Sequence, residues 1–347
     1  MRARAVALVA AALLAGCTSG STPRPVEAGS SRIVYRVVET STDVAQTTTV
    51  VTDLAGPYRA RTLTYPGTST TGPASGFAWD EGGVYAIRAD GSVAESEVVG
   101  PGFAGPFDRL DLALPVALRQ HLVSLVGPGT VAGRACTRWL SQLPLDGAPL
   151  SAPTAGDRTE SCVDPRGRLL GDTWQVSGRV VRTRTVTALG AGPSLAGEGL
   201  FGGQRPALLA SGSSGYVVHA STPAELSRLM QIRVPAGPVG LRADRAAAVL
   251  DVDPARQGFS RETAVLTWTG PGRLAVLRLE RRLTAGSGAT VRGAPVDLGA
   301  LGTGRLEPVL AGLRVTADGP NGIRVVATAD LPEAELLAWL RSLQLVG

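Results

Sequence analysis

Short runs rich in β-branched residues dominate the first half of the chain, and they limit its possible folds more than any other feature. The first two runs are SRIVYRVVET and AQTTTVVTDL, and Val, Ile, Thr and Tyr suit the pleated, half-buried surface of a strand. Turn signals at Glu81–Gly83 and Ala89–Gly91 are flanked by further short runs of this kind. Because such turns join antiparallel neighbours, the pattern predicts a meander of hairpins.

One segment, residues 115–126, has the spacing of a helix instead. Its sequence is PVALRQHLVSLV, and Pro115 suits a first helical turn. The side chains that fall on one helical face are Leu118, His121, Leu122, Leu125 and Val126. The Gly-Pro-Gly that follows ends the predicted helix. His121 is interpreted as a packed or rim residue rather than a catalyst.

The N-terminus indicates export. The sequence starts MRARAVALVAAALLAGC, and its apolar run is shorter than the ~20 residues that cross a bilayer. A charged start, a short apolar run and small residues are typical of a secretory signal. Leu14 to Cys17 resemble the bacterial lipobox, Leu-Ala-Gly-Cys. This resemblance implies cleavage before Cys17, a diacylglyceryl membrane anchor on its thiol, and a place on the outer face of the cell membrane. An ordinary secretory signal with a chance cysteine is the alternative.

Export bears on the two remaining cysteines, Cys136 and Cys162. Disulfides persist outside the cytoplasm, so two cysteines in one predicted unit favour a structural disulfide. The loop that it closes is worth about 3 kcal/mol in the chain-entropy model. A redox or metal site is the alternative, but there is no Cys-x-x-Cys spacing, and His121 and His219 stand alone in the sequence.

The charge pattern argues against a nucleic-acid partner. The formal net charge of +5 falls by two when Arg2 and Arg4 leave with the signal. The remaining arginines are scattered, and no basic patch is interleaved with aromatic residues, as a nucleic-acid surface requires. A weak attraction to anionic lipid head groups stays open.

The 347 residues are enough for about two domains. The predicted division is a signal peptide at 1–16, a flexible tether at 17–30, an antiparallel β domain at 31–190, a Gly/Ser-rich linker at 191–215 and an α+β domain at 216–347. A phosphate-binding loop is the alternative for the linker, but the segment lacks the Gly-Lys-Ser/Thr ending of a P-loop.

Two strand–helix segments frame the second predicted domain. In YVVHASTPAELSRLMQI, Thr222 and Glu225 predict a capping box, with Pro223 at the first helical position. Near the C-terminus, Asp330 and Glu333 predict a second capping pair. The apolar stripe that follows is Leu336, Trp339, Leu340 and Leu343. Strand-like segments lie between these ends, which predicts helices on one face of an antiparallel sheet.

Residues with catalytic or metal-binding chemistry form no recognisable site in the sequence. Asp251 and Asp253 lack the loop length, central glycine and closing glutamate of an EF-hand, and they are interpreted as a strand-end turn. Asp80 and Glu81 stand beside a Gly-Gly pair, so they are interpreted as turn residues rather than an acid–base pair. We therefore predict a protein that is not an enzyme and that uses no cofactor or metal.

A binding protein needs only a concave apolar site with a few polar groups at its mouth. A curved antiparallel sheet covered by the predicted helix can supply one. The predicted lining is Phe77, Trp79, Tyr85, Leu118, Leu122, Trp139 and Trp174. Ordinary core positions are the alternative for each of these residues.

The order of elements in residues 31–190, with the phrases GRACTRWL and ESCVDPRGRLLGDTW, resembles the LolA-like group. That group includes the actinobacterial LppX- and LprG-type lipoproteins and the first domain of RseB-type regulators. The resemblance implies a mainly β, α+β protein. Its N-terminal domain is expected to be a half-open antiparallel β-barrel, capped by a helix, whose concave face accepts acyl chains.

The second unit resembles the C-terminal domain of RseB-like proteins through the phrases PVDLGALGTG and GIRVVATADLPEAELLAWLRSL. This implies a smaller α+β domain and contact with a membrane-bound anti-sigma factor. The leading hypothesis is a membrane-anchored envelope lipoprotein that binds a lipid or another hydrophobic ligand without catalysis. The alternative is a protein-interaction module that regulates a membrane-protein partner.

Overall fold

The structure, a computed structural model, describes most of the chain beyond residue 30. The described ranges are 31–41, 44–55, 59–79, 83–98, 109–145, 156–195, 197–201, 215–220, 222–230, 233, 235–253, 258–270, 273–282, 292–309, 312–319 and 322–344. Cys17, Asp80 and Glu81 lie outside these ranges, together with the predicted signal and tether.

Eleven of the described strands form one antiparallel sheet, here called the first sheet. They are β1 (Ser31–Ser41), β2 (Val44–Ala55), β3 (Arg59–Pro66), β4 (Ser75–Trp79), β5 (Gly83–Ile87), β6 (Val93–Val98), β7 (Val123–Val131), β8 (Arg134–Ser141), β9 (Arg158–Val163), β10 (Leu169–Val176) and β11 (Arg179–Ala191). Their order is β6-β5-β4-β3-β2-β1-β11-β10-β9-β8-β7. Since β6 and β7 are separate edges, the sheet is not closed into a barrel, and the predicted open antiparallel architecture is confirmed.

The helix between β6 and β7 lies earlier in the chain than the sequence predicts. Helix α1 spans Leu110–Arg119, so Pro115 lies inside it, and the prediction of a helix over 115–126 is wrong in its second half. His121 has a φ of +58° and is exposed, which takes the backbone out of the helix. From Val123 onward the backbone pairs with β8, because a sheet partner satisfies the same groups that a longer helix would.

Eight further strands of the described residues form the second sheet. They are β12 (Gly215–Ala220), β13 (Arg242–Asp253), β14 (Gly258–Gly270), β15 (Arg273–Arg282), β16 (Ala294–Asp297), β17 (Thr303–Val309), β18 (Gly312–Asp318) and β19 (Ile323–Ala329). Their order is β12-β13-β14-β15-β19-β18-β17-β16, all antiparallel. Helices α2 (Pro223–Met230) and α3 (Glu333–Arg341) pack into one core with this sheet, so the predicted α+β class is confirmed.

The start of α2 follows the prediction. The backbone N–H of Glu225 donates to Thr222 Oγ1 at 3.1 Å, and Pro223 is the first helical residue. The predicted stripe on α3 is also buried, with Trp339 edge-on to Trp268 at 5.4 Å between ring centroids. Capping residues therefore located α2, and apolar periodicity located α3.

The second capping pair is wrong. Pro332 occupies the cap position of α3, where no side chain caps the helix. Asp330 instead accepts a hydrogen bond from the backbone N–H of Leu274 at 2.6 Å, and Glu333 pairs with Arg119 of α1. A backbone N–H and a charged side chain from elsewhere in the chain thus replace the local cap.

The predicted disulfide is confirmed. Cys136 in β8 and Cys162 in β9 are bonded, with their Cα atoms 5.6 Å apart. Both half-cystines are buried and belong to a cluster that contains Tyr35 and Leu170. The bond therefore joins two neighbouring strands at the side of a hydrophobic core.

Part of the segment predicted as a linker packs on the first sheet. Leu195 and Leu200 are fully buried there. Within the 3-10 turn Gly197–Phe201, the carbonyl of Gly199 accepts a hydrogen bond from Arg61 at 3.2 Å. The segment that follows β11 therefore packs against β3 before the chain continues to the second sheet.

Candidate functional site

The first sheet has one face on which α1 packs, here called the α1 face. Directly opposed residues of antiparallel neighbours lie on the same face. One such row is Trp139, Ser161, Asp172, Arg184 and Val37. Trp139 packs against the cluster that contains Leu110 and Leu114 of α1, so this row marks the α1 face.

Four of the five aromatic residues predicted to line a cavity share the α1 face. They are Phe77, Trp79, Trp139 and Trp174. Phe77 is 47% exposed, and its ring lies 6.0 Å from that of the buried Trp79. Tyr85 is on the other face, opposed to Ala78, and packs edge-on against Phe201. The structure therefore divides the predicted lining between two faces.

The two aliphatic lining residues have different surroundings. Leu122 packs beside α1 in its core, whereas Leu118 is 38% exposed. On the following strand, Leu125 and Val126 are 54% and 43% exposed. Leu118, Leu125 and Val126, here called the apolar strip, lie on both sides of the turn that joins α1 to β7.

Buried charge occupies the middle of the α1 face. The side chain of Asp172 is fully buried, and its Oδ2 accepts from Arg184 at 2.6 Å and from Arg182 at 3.2 Å. The guanidinium of Arg182 lies 6.0 Å from the Trp174 ring centroid, and that of Arg184 lies 5.5 Å from the Tyr35 centroid. Sequence reasoning missed this cluster because only the strand register brings these side chains together.

Four buried polar atoms next to this cluster lack a hydrogen-bond partner within the described part of the chain. They are Asp172 Oδ1, Trp174 Nε1, Thr159 Oγ1 and Ser161 Oγ. The register sets Ser161 opposite Asp172, and Thr159 opposite Trp174. Because buried polar atoms are normally hydrogen-bonded, this place suits water or a polar group and does not suit an acyl chain.

Helix α1 belongs to two hydrophobic cores. Leu110, Leu114 and Ala117 are buried against the first sheet. Val116 is buried in the core of the second sheet, which also contains Leu313 of β18. The helix therefore lies between the two sheets and packs on both; this contact is here called the α1 junction.

Polar contacts reinforce the α1 junction. Arg109 Nη1 lies 3.3 Å from Asp330 Oδ2, just beyond β19. Arg119 pairs with Glu333 at the start of α3. Gln120 Nε2 donates to a backbone carbonyl of β17 at 3.1 Å. Three polar side chains at the two ends of one helix thus hold the second sheet.

Burial raises the pKa of Asp330 to about 6. Loss of hydration is the largest cause, since it disfavours the charged carboxylate. The hydrogen bond from Leu274 and the charges of Arg109 and Arg273 act in the opposite direction and lower the pKa. The junction therefore contains a carboxyl group whose charge changes close to neutral pH.

No helix in the described ranges is both long enough and apolar enough to cross a membrane. Among those same residues, no three His, Cys, Asp or Glu side chains are grouped so that they could hold a metal ion. Asp251 and Asp253 lie in β13 rather than in a turn beyond it.

Comparison with known proteins gives matches to solved structures alone. No family model and no curated protein matches the chain. The crystal structure of MucB in complex with MucA(peri) is 14% identical, covers 92% of this chain and 94% of that chain, and has a TM-score of 0.30. MucB by itself is 12% identical over 90% of this chain and 91% of that chain, with a TM-score of 0.31.

A third match covers a smaller part of the chain. It is a domain of a putative outer membrane lipoprotein-sorting protein from Vibrio parahaemolyticus, 10% identical over 50% of this chain and 89% of that chain, with a TM-score of 0.24. MucB is RseB-like and the sorting domain is LolA-like.

Proposed function

We propose that this chain is a non-catalytic envelope lipoprotein, anchored through Cys17, that binds a membrane-protein partner beside the α1 junction. The observation that carries the proposal is the burial of α1 in both cores. A helix that covers a lipid cavity has to move before a ligand can enter. Because the second sheet also holds α1, such a movement displaces both sheets, which suits the relay of a binding event better than transport.

The apolar strip is the surface that we assign to the partner. Exposed apolar side chains that lie together mark interaction sites more often than chance. Leu125 and Val126 belong to β7, the last strand in the order of the first sheet, and an edge strand offers unpaired backbone groups to an extended segment of a partner. A partner bound here contacts the end of α1 directly.

Photo-crosslinking in cells of the source organism tests this assignment. A photoreactive residue at Leu125 should give one predominant adduct with a membrane protein. The matched control is Val44, an apolar residue at the start of β2 in the same sheet, which is 70% exposed against 54% for Leu125. Absence of an adduct at position 125, or the same adducts from both positions, would contradict the proposal.

A hydrophobic ligand is the second candidate, and Phe77 is the observation that favours it. Its ring is half-exposed beside Trp79 on the α1 face, where an acyl chain could lie at a distance from the buried charge of Asp172. Lipid binding of this kind would be limited to the β3–β4 side of the sheet.

Native mass spectrometry of the full chain with Cys17→Ser, produced in a bacterial host, separates the two candidates. Bound acyl species that disappear in Phe77→Ser and persist in Val44→Ser would support the ligand. A spectrum of protein without adducts would count against it and leave the partner as the remaining candidate.

A further inference from the structure

A hollow of about 420 Å³ lies on the face of the first sheet opposite to α1. Arg138, Cys162, Gly171 and Thr185 are opposed in turn across β8 to β11, each next to a residue of the row that marks the α1 face. All four line the hollow. Ser161, Asp172 and Arg184 of the α1-face row also border the hollow, but none of the aromatic residues of that face does.

Two features fix the wall of this hollow. The tip of the β7–β8 hairpin brings Val131 over the sheet, so that a Cβ atom added to Gly171 would lie 3.5 Å from Val131 Cγ1. The disulfide between Cys136 and Cys162 joins the same hairpin to β9. A hollow built on paired strands and a crosslink is preformed, which lowers the entropic cost of binding a ligand.

Two arginines of the hollow keep unused hydrogen-bond donors. Arg138 Nη1 donates to Glu160 Oε1 at 3.0 Å, and Arg158 Nε donates to Gln175 Oε1 at 3.0 Å. In the described ranges the terminal nitrogens of Arg158 have no further partner. A guanidinium fork matches the oxygens of phosphate or carboxylate, and the charged lining residues carry an excess of one positive charge.

Threonine hydroxyls form a row beside these arginines. Thr173 and Thr183 are directly opposed across β10 and β11, and Thr185 follows on the same side. Their hydroxyl groups make no hydrogen bond with other described residues. Each can both donate and accept, so the row is complementary to the hydroxyl groups of a ligand and offers nothing to a hydrocarbon chain.

We propose that this hollow binds an anionic polyol, a sugar or cyclitol that carries a phosphate or carboxylate group. The anion pairs with Arg158, and the ligand's hydroxyl groups lie along the threonine row. The proposal depends neither on the partner at the apolar strip nor on the anchor at Cys17. Free sugar phosphates and lipid head groups share this chemistry, so the test separates the two sources.

Calorimetric titration of the full chain carrying Cys17→Ser provides the test, with myo-inositol 1-phosphate as the probe and neutral myo-inositol as its control. Inositol phosphate should bind at least about tenfold more tightly than inositol, since a charge-assisted hydrogen bond is worth that factor or more. Arg158→Gln should remove that advantage. Arg166→Gln makes the same charge change on an exposed turn outside the hollow and should leave the affinity within twofold.

A second variant tests the hydroxyl row. Thr183→Val should weaken binding of inositol phosphate and leave binding of inorganic phosphate unchanged. Binding to vesicles of phosphatidylinositol but not of phosphatidylcholine, lost in Arg158→Gln, would identify the lipid head group as the source, whereas binding of the free compound alone would identify a soluble ligand. Equal losses in Arg158→Gln and Arg166→Gln, or no saturable binding at millimolar concentration in variants that melt like the parent, would overturn the proposal.

Discussion

The carboxyl group of Asp330 loses hydration on folding, and the charges of Arg109 and Arg273 offset only part of the resulting free-energy cost of its charged form. Its pKa in the folded protein, about 6, exceeds the ordinary value of 3.8, so folding favours the protonated form. The resulting contribution to stability is complete below pH 3.8 and is lost as the pH rises through 6. Its size is on the order of 3 kcal/mol.

Asp330→Asn isolates this contribution. The amide oxygen can still accept from the Leu274 N–H, while the titration disappears. Urea unfolding at pH 4.5 and 7.5 should show that the wild-type protein loses more stability than the variant over this interval. Parallel stability profiles for the two proteins would show that Asp330 does not titrate at the junction.

Asp53 is another buried carboxylate, and both of its oxygens are paired with arginines. Its Oδ1 lies 2.6 Å from Arg32 Nε, and its Oδ2 lies 3.0 Å from Arg61 Nη2. Asp53→Ala leaves the buried end of Arg61 uncompensated and should cost about 3–5 kcal/mol. Asp318→Ala is the matched control, because Asp318 is 71% exposed in its pair with Arg324, and it should cost no more than about 1 kcal/mol. Comparable losses in chemical denaturation would refute this ranking.

Helix α1 shows why periodicity located an element but misplaced its ends. Apolar residues at helical spacing run from Leu110 through Leu125 without a break, and Pro115 favoured a start in the middle of that run. The run is divided by a partner that lies elsewhere in the chain, since Leu125 is opposed to Trp139 in β8. Such pairing is invisible in a local pattern.

Two leucines of α1 differ in burial, so their substitution should affect the stability of the protein differently. Leu114 is buried in the core between helix and sheet, whereas Leu118 is exposed one turn later. Leu114→Ala should therefore lower the free energy of unfolding by about 2–5 kcal/mol, and Leu118→Ala should change it by less than about 1 kcal/mol. A large loss at position 118 would mean that it is covered in the folded protein.

The disulfide was predictable because two cysteines in one domain of a chain expected to be exported leave few alternatives. Removing it through Cys136→Ser and Cys162→Ser together should destabilise the protein by about 3 kcal/mol, since the unfolded chain regains the freedom of the loop between β8 and β9. Reductant should lower the melting temperature of the wild-type protein and leave the double variant unchanged. Insensitivity of both proteins would contradict a formed bond.

At the scale of the whole molecule, the kinds of secondary structure and the fold class were predictable from the sequence, but the pairing of the strands was not. Val- and Thr-rich runs identified the strands, yet runs of similar composition do not specify which neighbours pair. Trp79 and Trp139 share a face only through a register that contains bulges next to Tyr35 and Trp174. The α1 junction and the hollow depend on the same long-range pairing, so no local motif could have revealed them.

A helix buried in two cores predicts that the two sheets unfold together. Differential scanning calorimetry of the wild-type protein should give one transition. Arg109→Ala combined with Arg119→Ala removes both ion pairs of the junction and should separate the transition into two. Arg324→Ala, which breaks an ion pair within the second sheet, should leave it single. Two transitions in the wild-type protein would show that the sheets are independent.

Strands β1 and β11 are neighbours in the interior of the first sheet, with Ser31 opposed to Ala191. The start of the first strand and the end of the last strand of this sheet therefore lie side by side. If Cys17 carries the proposed lipid anchor, the length of chain from residue 17 to residue 30 limits the distance between the bilayer and β1 to at most about 50 Å. A force on this part of the chain would act on β1, next to the end of β11 from which the chain continues to the second sheet. The distance of both sheets from the bilayer would then be limited together.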